Sequence, residues 1–127
     1  MRYLIDTNCC VYLFNAGYDG LRQRIAGTEA GAIGLSVIVL AELGVGARLG
    51  KMPAGDRLGR LCEEFPVVPF EREDAEAFAA LPFRRGRFDR LLAAHAVSRD
   101  LTLVTNNAAD FADIPGLRVE NWTLPLA

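Results

Sequence analysis

The sequence predicts an α/β fold: a three-layer α/β/α domain on a mainly parallel sheet, occupying residues 1–127 as one unit. Three observations carry this. Apolar runs too short for helices recur along the chain and stop at polar, Gly or Pro positions, as buried strands do. Segments of helical length and periodicity separate them. Strands that alternate with helices return through right-handed crossovers, which makes neighbouring strands parallel. A chain of 127 residues can bury one core, and neither a repeat nor a linker divides it.

The elements follow in order. Tyr3-Leu4-Ile5 is an apolar run that breaks off at Asp6, Thr7 and Asn8, so strand one delivers a carboxylate where the chain turns toward a helix. Thr7 is placed to cap that helix, which runs through Val11, Leu13 and Phe14 to Asn15-Ala16-Gly17. A short helix over 21–26 ends at Gly27. Residues 32–36 (AIGLS) read as strand two, and Ser36 caps a long apolar helix over 37–49 that Gly50 closes. Residues 53–64 form a helix with Leu58 and Leu61 on one face. Residues 66–70 are a short strand bounded by Pro66 and Pro69, which suits a sheet edge. Residues 71–81 are amphipathic, with acids in the first turn where the helix dipole favours them. A loop over 83–87 leads to a helix over 88–99 with apolar Leu91, Leu92, Ala94 and Val97. Residues 101–105 (LTLVT) are an apolar strand, Asn106-Asn107 turns the chain, and 108–112 make a short helical piece. Residues 117–122 alternate as a closing strand, with Trp122 a packing residue.

Composition narrows the class. Half hydrophobic and a quarter charged is ordinary globular usage, so no disordered tail is expected. A net charge of −2 gives no bulk attraction for nucleic acid. Thirteen of the cations are Arg and only Lys51 is Lys, a bias that fits phosphate or acidic-partner contact and equally fits genome composition. Cys9, Cys10 and Cys62 are odd in number with no C-x-x-C spacing, which argues against a disulfide framework or zinc site and for a reducing compartment. No secretory leader opens the chain, and the apolar run over 33–40 is too short to span a bilayer. A cytoplasmic protein with no membrane partner is the expectation.

In open α/β sheets ligands bind outside the carboxyl ends of the strands, so Asp6 is the first candidate for chemistry. Glu42 is the only charge between Ala32 and Ala47. A carboxylate on a mostly buried helix is costly unless something pairs with it, or unless it lies on one solvated stripe. Taken alone, Asp89 is an acid well placed at a helix N-terminus, and Asp110 a surface acid in a loop. Taken together, all four can converge above the sheet if strands one and four are neighbours. Clustered carboxylates repel and need cations. Oxygen-only ligands select Mg²⁺ or Mn²⁺, a site suited to in-line phosphodiester hydrolysis.

Other chemistries lack parts. His95 is the only histidine, so any Ser/His or Cys/His mechanism must use it, and its place in LLAAHAV fits a hydrogen-bonded packing role. Gly50-Lys51 is no phosphate loop, because Val45 and Met52 stand where that motif needs Gly and Ser or Thr. Cys9 and Cys10 read as core-facing small hydrophobes, with no Arg six residues on.

LIDTN with Asp6, AEL with Glu42, FDRLLAAHA with Asp89, LTLVTNNAADF with Asp110 and the ending PGLRVENW together resemble the PIN-domain ribonucleases, and among them the VapC toxins of type II toxin–antitoxin modules. The likeness spans essentially the whole chain in order. It implies a Mg²⁺-dependent endoribonuclease, with Mn²⁺ able to substitute, and a sheet of order 3-2-1-4-5. It implies that Asp6, Glu42, Asp89 and Asp110 are the acidic quartet, with Asp6 and Asp89 as direct metal ligands. Thr7, Asn8, Thr105, Asn106 and Asn107 match polar positions that help hold the acids, water or RNA phosphate. The resemblance also implies a homodimer and inhibition by a cognate VapB-type antitoxin. Arg84, Arg85, Arg87 and Arg90 flank Asp89; contact with RNA phosphates and a merely solvated loop both remain open for them. Two other readings stand beside the toxin: a catalytically weak RNA- or protein-binding PIN module, and a housekeeping RNA-processing nuclease without an antitoxin.

Overall fold

The computed structural model describes residues 1–82 and 88–124. Its elements are β1 (Tyr3–Ile5), α1 (Thr7–Tyr12), α2 (Asp19–Ala26), β2 (Ile33–Ser36), α3 (Val37–Arg48), α4 (Gly55–Glu64), β3 (Val67–Val68), α5 (Arg72–Ala79), α6 (Phe88–Ser98), β4 (Thr102–Val104), a 3₁₀ turn (Ala108–Phe111) and β5 (Val119–Glu120). The expected loop over 83–87 lies outside the described residues.

The five strands pair in parallel throughout, in the order β3-β2-β1-β4-β5 that the resemblance implied. Successive strand residues face opposite sides of a sheet. Leu4 and Ile5 in β1, and Leu103 and Val104 in β4, are all buried, so both faces of the sheet centre are covered. The core continues into Leu21, Val39, Leu43, Leu92 and Phe111, with Cys9 and Cys10 among them as expected. Trp122 is buried edge-on to Tyr3, with ring centroids 4.9 Å apart, and donates to Glu120 Oε1 at 3.0 Å. Among the described residues no helix is long and apolar enough to cross a membrane.

β2 sits so close to its neighbours that Gly34 has no room for a side chain. A Cβ there would lie 2.8 Å from Val68 Cγ2 and would also strike Met1 Sδ. Met1 can swing aside, but Val68 is β-branched and fixed within β3. Gly34→Ala is therefore expected to destabilise by about 1–3 kcal/mol, as overpacked cores do. A urea melt would read this; an unchanged midpoint would show that β3 simply moves away.

Several element boundaries differ from expectation by a few residues, and two of the differences have a visible cause. The cap of α1 is Asp6, not Thr7: the Asp6 carboxylate accepts from Cys9 N at 2.8 Å. Asp at this position competes well with Thr, and the Thr7 hydroxyl is engaged elsewhere. The closing strand shrinks to β5, because Asn121 Oδ1 accepts from Thr123 N at 2.9 Å and turns the chain early.

Polar contacts bind the helices to one another. The only histidine, His95 of α6, is fully buried. Its Nδ1 lies 2.8 Å from Ser36 Oγ and its Nε2 lies 3.0 Å from the Pro69 carbonyl. A carbonyl only accepts, so Nε2 carries the proton, and the Ser36 hydroxyl donates to Nδ1. Asp74 of α5, also buried, accepts from Arg99 through Nε at 3.1 Å and Nη2 at 3.0 Å, and from Glu71 N at 2.7 Å. The packing role expected of His95 is what the structure shows.

Candidate active site

The chain enters the sheet at β1, moves outward through β2 and β3, and then crosses to β4 on the other side of β1. This reversal between β1 and β4 opens a crevice at their carboxyl ends. Ile5 pairs with Val104, so Asp6 and Thr105 leave the sheet side by side. Asp6 N donates to Val104 O at 3.0 Å across that junction.

A cleft of about 280 Å³ occupies the crevice, lined by Asp6, Thr7, Asn8, Glu42, Asp89, Thr105, Asn107 and Asp110 among others. All four predicted acids therefore face one cavity, though they come from three helices or helix starts and a 3₁₀ turn. Asp6 arrives from the end of β1, Glu42 from the middle of α3, Asp89 from the first turn of α6 and Asp110 from the 3₁₀ turn after β4. Thr7 Oγ1 donates to Glu42 Oε1 at 2.9 Å and so joins the start of α1 to α3. Asn107 Nδ2 donates to Asp110 Oδ2 and holds that carboxylate in the turn. Phe88, Leu92 and Phe111 complete the wall with apolar surface. Sequence reasoning passed over them, although each aromatic adjoins one of the acids in the chain.

The acids feel burial and one another. Burial pushes the Asp6 carboxyl above its ordinary value, and Asp89 adds to this, against the pull of the Thr105 hydroxyl and the Cys9 N–H. Burial also raises Glu42; the Thr7 hydroxyl opposes it, and the charges of Asp89 and Asp6 reinforce it. Both shifts mark carboxylates that a cation would stabilise in ionised form. Among the described residues no three carboxylate, thiol or imidazole groups already form a closed ligand set; the acids stand on the walls of an open cleft. The donors lining it are oxygens, which fits Mg²⁺ or Mn²⁺ and not a thiophilic metal. Burial first, and then the charge of Asp6, push the Cys9 and Cys10 thiols far up, so neither supplies a thiolate here.

Two predicted residues do not join the cleft. Arg90, for which RNA contact and a solvated loop were both open, fits neither: it is 3 % exposed and turned inward. It donates to both carboxylate oxygens of Asp113, each at 2.9 Å, and to the Pro82 carbonyl at 3.1 Å. One residue beyond Asp89, its side chain takes the buried face of α6, and a guanidinium paired there in a fork with a carboxylate is a structural tie. Asn106 donates to Tyr12 Oη at 2.9 Å and is not among the residues lining the cleft. Arg84, Arg85 and Arg87 lie outside the described residues.

A parallel α/β domain with an acidic cleft at its switch point is one class of nuclease architecture, and comparison with known proteins specifies it. The PIN domain family model matches residues 3–117. The tRNA(fMet)-specific endonuclease VapC of Shigella flexneri is 33% identical, over 97% of this chain and 99% of that protein. Ribonuclease VapC2 of Rickettsia felis is 33% identical over 96% and 98%. Among solved structures, VapBC2 from Rickettsia felis bound to a DNA fragment from its promoter superposes with a TM-score of 0.82 at 31% identity, over 96% of this chain and 99% of that one. DNA-bound VapBC from Salmonella typhimurium gives 0.79 at 29%, over 96% and 98%. The chain belongs to the PIN-domain family, with the VapC ribonucleases.

Proposed function

We propose that this chain is the toxin of a VapBC-type module, a Mg²⁺-dependent endoribonuclease that hydrolyses RNA phosphodiester bonds in the cytoplasm. The observation that carries the reading is the convergence of Asp6, Glu42, Asp89 and Asp110 on one cleft. Asp6 and Asp89 would hold the metal, with Glu42 and Asp110 completing the site. A divalent ion bound there would supply charge neutralisation for the phosphate and a water of lowered pKa.

The chain's own groups fix the geometry. Cys9 N and the Thr105 hydroxyl hold the Asp6 carboxylate at the wall of the cleft. The Thr7 hydroxyl orients Glu42, which is placed to accept a proton from an attacking water. Asn107 aims Asp110, and exposed Asn8 offers an amide to a phosphate oxygen at the rim. The apolar wall of Phe88, Leu92 and Phe111 limits water around the acids and gives a base a surface to rest on. The expected products carry a 5′-phosphate and a 3′-hydroxyl.

A VapB-type antitoxin is the partner that the relatives support, since they were solved as VapBC complexes, and a homodimer of the toxin is the assembly that the family resemblance implies. Initiator transfer RNA is the first substrate to assay, since a relative at 33% identity is named for it. The test is induced expression followed by sequencing of new RNA 5′ ends, beside an Asp6→Asn control. Discrete 5′-phosphate ends that vanish in the control are expected. An unaltered RNA population, or ends shared with the control, would overturn the reading.

A further inference from the structure

The Ser36–His95 bond lies outside the cleft, and the chemistry above does not use it. It joins the two helices that carry opposed acids. Ser36 caps α3 and accepts from Ile38 N at 3.1 Å, while its hydroxyl reaches His95 Nδ1 at 2.8 Å; both side chains are fully buried. Glu42 follows Ser36 by six residues along α3, and Asp89 precedes His95 by six along α6. Each separation is about 9 Å at the helical rise. The two helices therefore meet at matched points: the hydroxyl–imidazole bond at one, the pair of carboxylates at the other. Apart from Glu42 and Arg48, α3 is apolar (VIVLAELGVGAR), and apolar contacts tolerate sliding where a hydrogen bond does not. The imidazole is itself held, by the Pro69 carbonyl at 3.0 Å and by the Phe70 ring edge-on at 5.2 Å.

We propose that Ser36 and His95 are positioning residues, whose mutual hydrogen bond sets the spacing between Glu42 and Asp89 across the cleft. This rests on the reading that the acids bind a divalent ion. Groups that orient metal ligands without touching the metal commonly change its affinity by about 10–100-fold when removed.

The decisive comparison is His95→Gln against His95→Asn. Gln keeps a donor for Pro69 and loses the acceptor for Ser36; Asn keeps an acceptor near the Nδ1 position and loses the donor for Pro69. Each protein is titrated with Mn²⁺ by calorimetry, well below its own melting temperature, alongside a thermal melt. His95→Gln should bind Mn²⁺ about tenfold more weakly than the unmodified chain, and His95→Asn should stay within about twofold of it, even if the melts show both variants less stable. Equal affinities for Gln and the unmodified chain would overturn the proposal, as would equal losses in Gln and Asn, which mark general loosening. Should His95→Gln not fold, Ser36→Ala against Ser36→Thr makes the same comparison, because Thr retains the hydroxyl. Absence of Mn²⁺ uptake by the unmodified chain would overturn the metal-site reading itself, and this proposal with it.

Discussion

Asp6→Asn is expected to lower RNA cleavage by at least about a thousandfold while leaving the fold as stable as before, or more so. The two halves of this result have separate causes. The catalytic loss follows from removing a negative ligand oxygen at the point where β1 and β4 part, where a neutral amide binds a hard cation poorly. The structural tolerance follows from the cap. Asp6 Oδ1 accepts from Cys9 N at 2.8 Å, and the Asn carbonyl oxygen can take the same bond, with Asn and Asp nearly equal as caps. Burial and Asp89 both disfavour the ionised carboxylate, so a neutral isostere relieves that cost in metal-free buffer. Asp6→Ala should lose the cap as well, for about 1 kcal/mol. Cleavage assays and urea melts on both variants check this. Robust cleavage by the Asn protein, or a lower melting midpoint for Asn than for Ala, would contradict the account.

The legible part of this chain was what periodicity and chain order encode. Leu4-Ile5 and Leu103-Val104 read as buried strands because nothing polar interrupts them, and both are buried in the sheet centre. Glu42 stood out because a lone charge on an apolar helix needs a reason, and the cleft supplies one. Strand order was not legible from the residues themselves; it came from the family likeness, since crossover rules fix handedness but not which edge a later strand joins. The inward turn of Arg90 is not legible, because composition cannot tell which face of α6 a residue takes next to Asp89. The answer depended on Asp113, distant in sequence, standing opposite it. The Asn106 partner is hidden for a similar reason: the Tyr12 hydroxyl that accepts its amide comes from α1. Ser36 was recognised as a helix cap and His95 as a packing histidine, but their union could not be read from positions so far apart.

Arg99→Met is expected to destabilise the protein by about 3–5 kcal/mol at neutral pH, lowering the melting temperature by roughly 10 °C or more. Methionine preserves most of the stem's packing, so the loss isolates the charge. Arg99 supplies two hydrogen bonds to the buried Asp74 carboxylate, beside that of Glu71 N, and its removal strands that charge between α5 and α6. The dependence on pH separates this from simple loss of contacts. In the unmodified chain burial opposes ionisation of Asp74, yet Arg99 and the Glu71 N–H hold its carboxyl down to about 2. A depressed carboxylate pKa contributes stability above the unfolded value near 4 and loses it as pH falls toward 2, about 2 kcal/mol in all. Without Arg99 the sign reverses. Burial then dominates, and a proton taken up by Asp74, or by His95 with Nε2 at 3.7 Å, offsets the stranded charge. The variant therefore regains relative stability as pH falls from about 6 to about 3, while the unmodified chain declines. Urea melts across that range should show the gap between the two proteins closing. A gap that stays constant with pH would mean that Arg99 contributes packing and hydrogen bonds but no charge compensation to Asp74.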